Sequence, residues 1–220
     1  MATFNRSARS AVAVFTGCML ATGALAGPAQ AAAPAASGAV GSVQLDLGGV
    51  PVTVAPLAPC ELGSTPQAST GGTSVPDVVS YGSSTTTCGT DDAGNAFARA
   101  EGGRFESTVL TRFGGPTVRI RSFSLECRTN GTGSSASMAL GGVSGFELPQ
   151  RIEPDSKVTV PSRTPGAAPL AELTLNEFVV PEPADGTLTT HALRMTLFPQ
   201  GGPASGDIVL GTANCDPSGG

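Results

Sequence analysis

Six arginines, Arg99, Arg104, Arg112, Arg119, Arg121 and Arg128, fall within one short span of a chain that is otherwise acidic. A guanidinium is a planar fork of donors that matches phosphate or carboxylate oxygens through paired hydrogen bonds. Arg104, Arg112, Arg119 and Arg121 are therefore the candidate binding residues. Arg112 and Arg119 flank the turn Gly114-Gly115-Pro116 and are expected near each other on the outward face of a hairpin. The fitting partner is a cell-wall polymer carrying phosphate or carboxylate groups, or another surface protein. The competing expectation is a solvated face on which Glu101, Glu106 and Glu126 balance the arginines across strands.

Catalytic chemistry finds less support. A serine hydrolase needs a base beside its nucleophile and an acid behind the base, and the chain has one histidine, His191. Gly142-Val143-Ser144-Gly145 does not have the spacing of a nucleophile elbow. His191 shares the parity of Leu193, Met195 and Leu197, which predicts a half-buried structural residue at the start of an inward-facing row. Paired carboxylates of the kind a glycosidase uses occur at Asp91-Asp92, Glu153 with Asp155, and Glu182 with Asp185. Each pair stands beside Gly or Pro, where turns favour acids for their own reasons. Asp91-Asp92-Ala93-Gly94-Asn95 clusters oxygen ligands but lacks the spacing of an EF-hand loop. No CxxC pair or histidine partner stands at zinc-ligand spacing, so we expect no catalytic residues, no metal and no cofactor. The alternative reading is a secreted hydrolase that uses carboxylates, stabilised by calcium.

The elements that must position these residues begin behind an export signal. Arg6 and Arg9 form a positive n-region, Ala11 to Ala26 an apolar h-region, and Ala29-Gln30-Ala31 a small-residue cleavage site, so we expect residues 1–31 to be removed. The interrupted apolar run is short for a membrane span, and no membrane insertion is expected after cleavage. Arg6 and Arg9 leave with the signal, so ten basic residues stand against seventeen acidic ones and the mature charge is −7. That balance disfavours nucleic acid as a partner. With no Trp and one Tyr, aromatic stacking on sugars is disfavoured as well. Cys60, Cys88, Cys127 and Cys215 remain, an even set that reads as two disulfides in an exported chain; the sequence permits three pairings. We expect Cys60 with Cys88, closing a loop poor in apolar residues, and Cys127 with Cys215, tying a middle strand to the last one.

Residues 32–41 are Ala, Pro, Ser and Gly without apolar period, which predicts a flexible leader with order beginning near Val43. Val43, Leu45 and Leu47, then Val52 and Val54, alternate about Gly48-Gly49 as an opening hairpin. The segment between Cys60 and Cys88 is expected to be a weakly structured loop. Asn95 to Glu101 predicts a strand. Phe105, Val109 and Phe113 predict another, which turns at Gly114-Gly115-Pro116 into Val118 and Ile120. From Val118 and Ile120 to Phe123, Leu125 and Cys127 the apolar parity switches, which calls for a bulge or a change of sheet near Arg121-Ser122. Asn130-Gly131 predicts a hairpin turn. Glu172 to Phe198 predicts a further hairpin, and Asp207 to Cys215, apolar on both parities, a strand inside a sheet. The expected fold class is all-β: a single antiparallel β-sandwich over residues 42–216 with two disulfides, and a disordered tail over 217–220.

The run Leu173-Thr174-Leu175-Asn176-Glu177, then Asp185-Gly186-Thr187-Leu188, Ala192-Leu193 and Leu197, then Gly206-Asp207-Ile208-Val209 and Gly211 resembles the choice-of-anchor P family of bacterial exported proteins. The resemblance covers the last fifty or so residues and, more loosely, Asn95 to Pro161. It implies an extracellular β-rich domain held at the cell surface, and it implies no catalytic residues. In this chain His191 precedes Ala192-Leu193, whereas the family usually carries its histidine after them. No sorting motif follows Cys215, so the expectation is release into the medium or non-covalent retention at the surface. The predicted role is a secreted or cell-surface, non-enzymatic structural and interaction domain.

Overall fold

The structure is a computed structural model and describes residues 33–219. The export signal expected at 1–31 lies outside the described residues. Alternating apolar residues between Gly- and Pro-rich turns form β1 (Ala35–Asp46), β2 (Pro51–Val54), β3 (Cys60–Glu61), β4 (Gln67–Thr70), β5 (Thr73–Val75), β6 (Val79–Tyr81) and β7 (Ser84–Thr90). They continue as β8 (Ala96–Ser107), β9 (Val118–Asn130), β10 (Gly133–Gly141), β11 (Ser156–Val160), β12 (Ala171–Val179), β13 (Leu188–Leu197) and β14 (Ser205–Asp216). Sheet A runs β11-β12-β13-β14-β1-β2, with β3 added to β1. Sheet B runs β10-β9-β8-β6-β5, with β7 on β8 and β4 on β7. All pairings are antiparallel. Among the described residues no helix is long and apolar enough to cross a membrane.

The core lies between the sheets, where Leu173, Leu193, Met195, Ile208 and Leu210 of sheet A meet Phe105, Ile120 and Leu125 of sheet B. Tyr81 of β6 crosses that layer, and its hydroxyl donates to the carbonyls of Ser42 and Val209 at 3.0 and 2.8 Å. The expected disulfides are the ones formed, Cys60–Cys88 and Cys127–Cys215. Each joins a strand of sheet A to one of sheet B, and such bonds fit an oxidising compartment. For sequence separations of 28 and 88 between the paired cysteines, the chain-entropy model gives about 3.6 and 4.6 kcal/mol.

Several expectations need correction. The leader predicted at 32–41 is in large part the first half of β1, paired with β14 from Ala35 opposite Asp216 onward. Its small residues answer close packing. A Cβ on Gly38 would stand 3.1 Å from the Thr212 carbonyl, and one on Gly41 would stand 2.5 Å from the Tyr81 ring. The Cys60–Cys88 segment holds the short strands β4, β5 and β6, with β4 paired to β7 and β5 to β6. The strand expected through Val109 and Phe113 is a 3-10 turn, Val109–Phe113, closed by Gly114 at φ 77°. Phe105 belongs instead to β8, whose 12 residues run on from Ala96. In the tail, the Ser218 N–H donates to the Asp216 carboxylate at 2.7 Å.

The parity switch expected in β9 is real, and its partner strand shares it. Buried residues of β9 change from Val118 and Ile120 to Phe123 and Leu125, while those of β8 change from Ala96, Ala98 and Ala100 to Phe105 and Ser107. Gly103 pairs Ser122 and Phe105 pairs Ile120, which leaves Arg104, at φ 57°, outside the ladder opposite Arg121. One residue in the left-handed region swings the following side chain to the other face without a change of register. Sheet A has the same crease on a longer line. Asn176 at φ 53° in β12, Ala192 in β13, Gly211 at φ 66° in β14 and Val40 in β1 are the positions skipped by otherwise regular ladders. The crease accounts for the two apolar parities of the closing strand, without burial of both its faces along the whole length. β14 does lie inside its sheet, between β13 and β1, but it changes its inward set at Gly211.

Candidate anion-binding site

The crease in sheet B decides which arginines meet. Before it, Phe97, Arg99 and Glu101 of β8 point away from the core; after it, Arg104 and Glu106 do. Gly102 and Gly103 lead into the irregularity, and a Cβ on Gly102 would collide with Ser84 of the neighbouring β7. Arg121 points outward opposite Arg104, and its stem lies over Gly142, where an added Cβ would come within 2.6 Å of Cδ. Two residue pairs along, the Arg119 guanidinium donates to the Glu106 carboxylate at 3.0 Å. The Arg119 main chain is held by two 2.9 Å hydrogen bonds to Ser144. Arg104, Phe105, Glu106, Arg119, Ile120 and Arg121 line an open depression of about 340 Å³.

Three guanidiniums against one carboxylate leave this depression with a charge of +2. Arg119 is internally matched, and its bond to Glu106 holds the guanidinium above its ordinary pKa. Among the described residues Arg104 and Arg121 make no ion pair and no side-chain hydrogen bond. The other arginines of the span from Arg99 to Arg128 are spoken for. Arg99 donates to Glu126, and Arg128 donates to Asp91 at 2.6 Å and Glu126 at 2.8 Å while lying 5.6 Å from the centroid of Phe97. Burial pushes the Glu126 carboxyl up, but its bonds to Arg128 and Arg99 outweigh that and hold it below the usual range. Arg112 sits on the 3-10 turn, 3.9 Å from Asp77. The expected hairpin forms between β8 and β9, but Arg112 lies in its 3-10 connection and not in a strand, so the residue opposite Arg119 is Glu106; the crease sets Arg104 and Arg121 beside that pair.

The acids considered for hydrolysis are placed in separate connections. Asp91 accepts from the Ala93 and Asn95 amides at 3.0 and 2.9 Å, closing the turn between β7 and β8. Asp155 accepts from the Phe178 amide at 2.8 Å, and Asp185 from the Thr187 amide at 2.8 Å. Glu153 pairs with Arg151 at 3.6 Å. Among the described residues no group of three or more His, Cys, Asp or Glu side chains is placed to hold a metal.

His191 does not begin an inward row. Ala192 lies on the crease, so His191 and Arg194 both point to the outer face of sheet A, where His191 is buried by its neighbours. Its Nδ1 lies 3.0 Å from Thr212 Oγ1, and its Nε2 is 3.8 Å from Glu177. Arg194 donates to Glu177 at 2.7 Å and to Asp207 at 3.4 Å, and the Thr196 hydroxyl donates to Asp207 at 2.5 Å. Desolvation, with the Arg194 charge second, pushes the His191 pKa down and favours the neutral ring. This closed network is hidden in the sequence because its members come from β12, β13 and β14; the one local signal is the reversal of apolar parity in β14.

A larger concavity lies elsewhere. It is a groove of about 810 Å³ between Phe146, Leu148 and the edge strand β11, where Lys157 is already paired with Glu172 at 2.7 Å. Its walls are mainly apolar, so an anion finds more open charge at the arginine crease. Comparisons of the chain with protein-family models, with curated proteins and with solved structures find no match.

Proposed function

We propose that this protein is an exported, non-catalytic interaction domain that acts outside the cell, at the envelope or near it, and binds an anionic group of an envelope polymer through Arg104, Arg119 and Arg121. The observation that carries the reading is the facing pair Arg104 and Arg121, exposed and without carboxylate partners among the described residues in a chain where acids outnumber bases. A non-glycine residue held at positive φ inside a strand costs about 1–2 kcal/mol, and such positions concentrate at functional sites. Two features support an extracellular setting: the two disulfides and the signal-like first 31 residues. The resemblance to choice-of-anchor P proteins gives the same setting, and we propose membership of that group on the C-terminal motifs that run from Leu173 to Gly211.

The test is retention of the purified, oxidised protein on isolated cell envelope. Arg104→Gly combined with Arg121→Gln should release it, whereas Arg151→Gln with Arg163→Gln, two exposed arginines outside the depression, should not. Equal retention of wild type and the Arg104/Arg121 variant removes the anion-binding reading.

A further inference from the structure

Resting on that anion-binding reading, we propose that the ligand is a linear polyol phosphate. Its phosphate is held between Arg104 and Arg121, and its hydroxyls lie along the outer face of sheet B beside the crease.

A planar carboxylate is matched by one guanidinium fork, as Glu106 already is by Arg119. Arg104 and Arg121 approach from facing strands, so a single ligand group meets donors from two sides. The two non-bridging oxygens of a phosphodiester stand further apart on their tetrahedral phosphorus than those of a carboxylate do, so each can accept from one fork.

The second observation lies next to the arginines. Ser69, Thr85, Glu101 and Ser124 pair in register across β4, β7, β8 and β9 as one transverse row. They line a second open depression, of about 530 Å³. None of the four uses its side chain in a hydrogen bond among the described residues. Glu101 precedes Arg104, and Ser124 follows Arg121, by three residues, which is roughly 10 Å along a strand. An anion site and a row of free hydroxyl and carboxylate acceptors therefore adjoin on one face.

The same face disfavours a rigid glycan. There is no Trp, and the one Tyr is buried with its hydroxyl committed to Ser42 and Val209. A rigid glycan gains no Trp or Tyr to stack on, and Phe97, the outward aromatic of β8, is already engaged by the Arg128 guanidinium 5.6 Å from its centroid, whereas an open polyol needs only hydrogen bonds.

Three probes separate these chemistries: poly(glycerol phosphate), which has phosphate and hydroxyls; polyphosphate, which has phosphate alone; and polygalacturonate, which has hydroxyls with carboxylates. Titrated with the oxidised full-length protein, poly(glycerol phosphate) should bind at least about tenfold tighter than either of the others, the scale of one charge-assisted hydrogen bond. Arg104→Gly with Arg121→Gln should abolish binding of both phosphate probes; glycine suits the positive φ at 104, and circular dichroism checks the fold. Thr85→Val with Ser124→Ala should keep polyphosphate binding and lose the preference for poly(glycerol phosphate). If polygalacturonate binds as tightly while envelope retention still requires the arginines, the ligand class is wrong and the anion-binding reading stands. If polyphosphate binds as tightly as poly(glycerol phosphate), or if the Thr85/Ser124 variant keeps the preference, the hydroxyl row is refuted. Retention that does not depend on the arginines sinks both readings.

Discussion

Across sheet A, the crease through Asn176 and Gly211 gathers Glu177, His191, Arg194 and Asp207. Across sheet B, the crease at Arg104 gathers Arg104, Arg119 and Arg121 with Glu106 alone. Both rest on the same backbone device, a left-handed residue inside a strand that resets which side chains face out. The first closes on itself, since Arg194 is shared between two carboxylates and His191 is bonded to Thr212. The second stays open, with two guanidiniums facing solvent. The same geometry therefore supports a structural network on one face and a receptive site on the other, and the difference lies in the count of acids.

The comparison is broken most strongly at Gly211. An Ala there adopts φ 66° against its preference, and its Cβ meets Ala192 at 3.2 Å, Phe123 at 3.3 Å and Leu125 at 3.4 Å. Gly211→Ala should cost about 3 kcal/mol in urea unfolding, adding the left-handed penalty to crowding in the core. Glu177→Ala should cost about 2 kcal/mol by the same measurement. That is less than a fully buried pair loses, because Arg194 is partly exposed and keeps Asp207.

A smaller effect should follow pH. The His191 pKa is lowered in the folded protein by burial and by Arg194, so below the ordinary imidazole value of about 6.5 the unfolded chain binds the proton more readily. Stability should hold above that value and fall as pH drops from it toward the folded-state pKa. Thermal unfolding followed in steps of pH should show this slope, and His191→Gln should flatten it. Smallest of all, Arg104→Gly should leave unfolding free energy within about 1 kcal/mol of wild type, since glycine relieves the left-handed strain while adding chain entropy. A large loss there would mean that the sheet B arginines hold the fold as the sheet A network does, and the contrast between the faces would fail.

Much of this fold is legible in the chain. Period-two alternation marks most of the longer strands, Asn130-Gly131 marks the hairpin from β9 to β10, and the parity switch at Arg121-Ser122 marks the sheet B crease. Residues 35–41 read as a leader because Ala, Ser and Gly look flexible by composition. Only the Tyr81 ring and the β14 backbone pressing on Gly41 reveal why small residues are required there. The strand expected through Val109 fails because Phe105, Val109 and Phe113, four residues apart, fit a helical turn as well as a strand face. The pairing of Arg112 with Arg119 depends on that same strand and fails with it.

By itself the sequence determined the all-β class, the turns and the pool of arginines from which a site is drawn. These follow from local rules: strand alternation, the φ demands of Gly and Asn, and charge count. The sequence permits three disulfide pairings, and the one expected among them is the one formed. Tertiary structure alone decided which arginines stay free and which carboxylates quench the rest. A residue at positive φ turns its neighbours to the other face, and a partner strand far away in sequence supplies or withholds the acid. Arg99 and Arg119 found carboxylates across the ladder and Arg128 found Glu126 along its own strand and Asp91 in the β7–β8 turn, while Arg104 and Arg121 stand opposite each other without one.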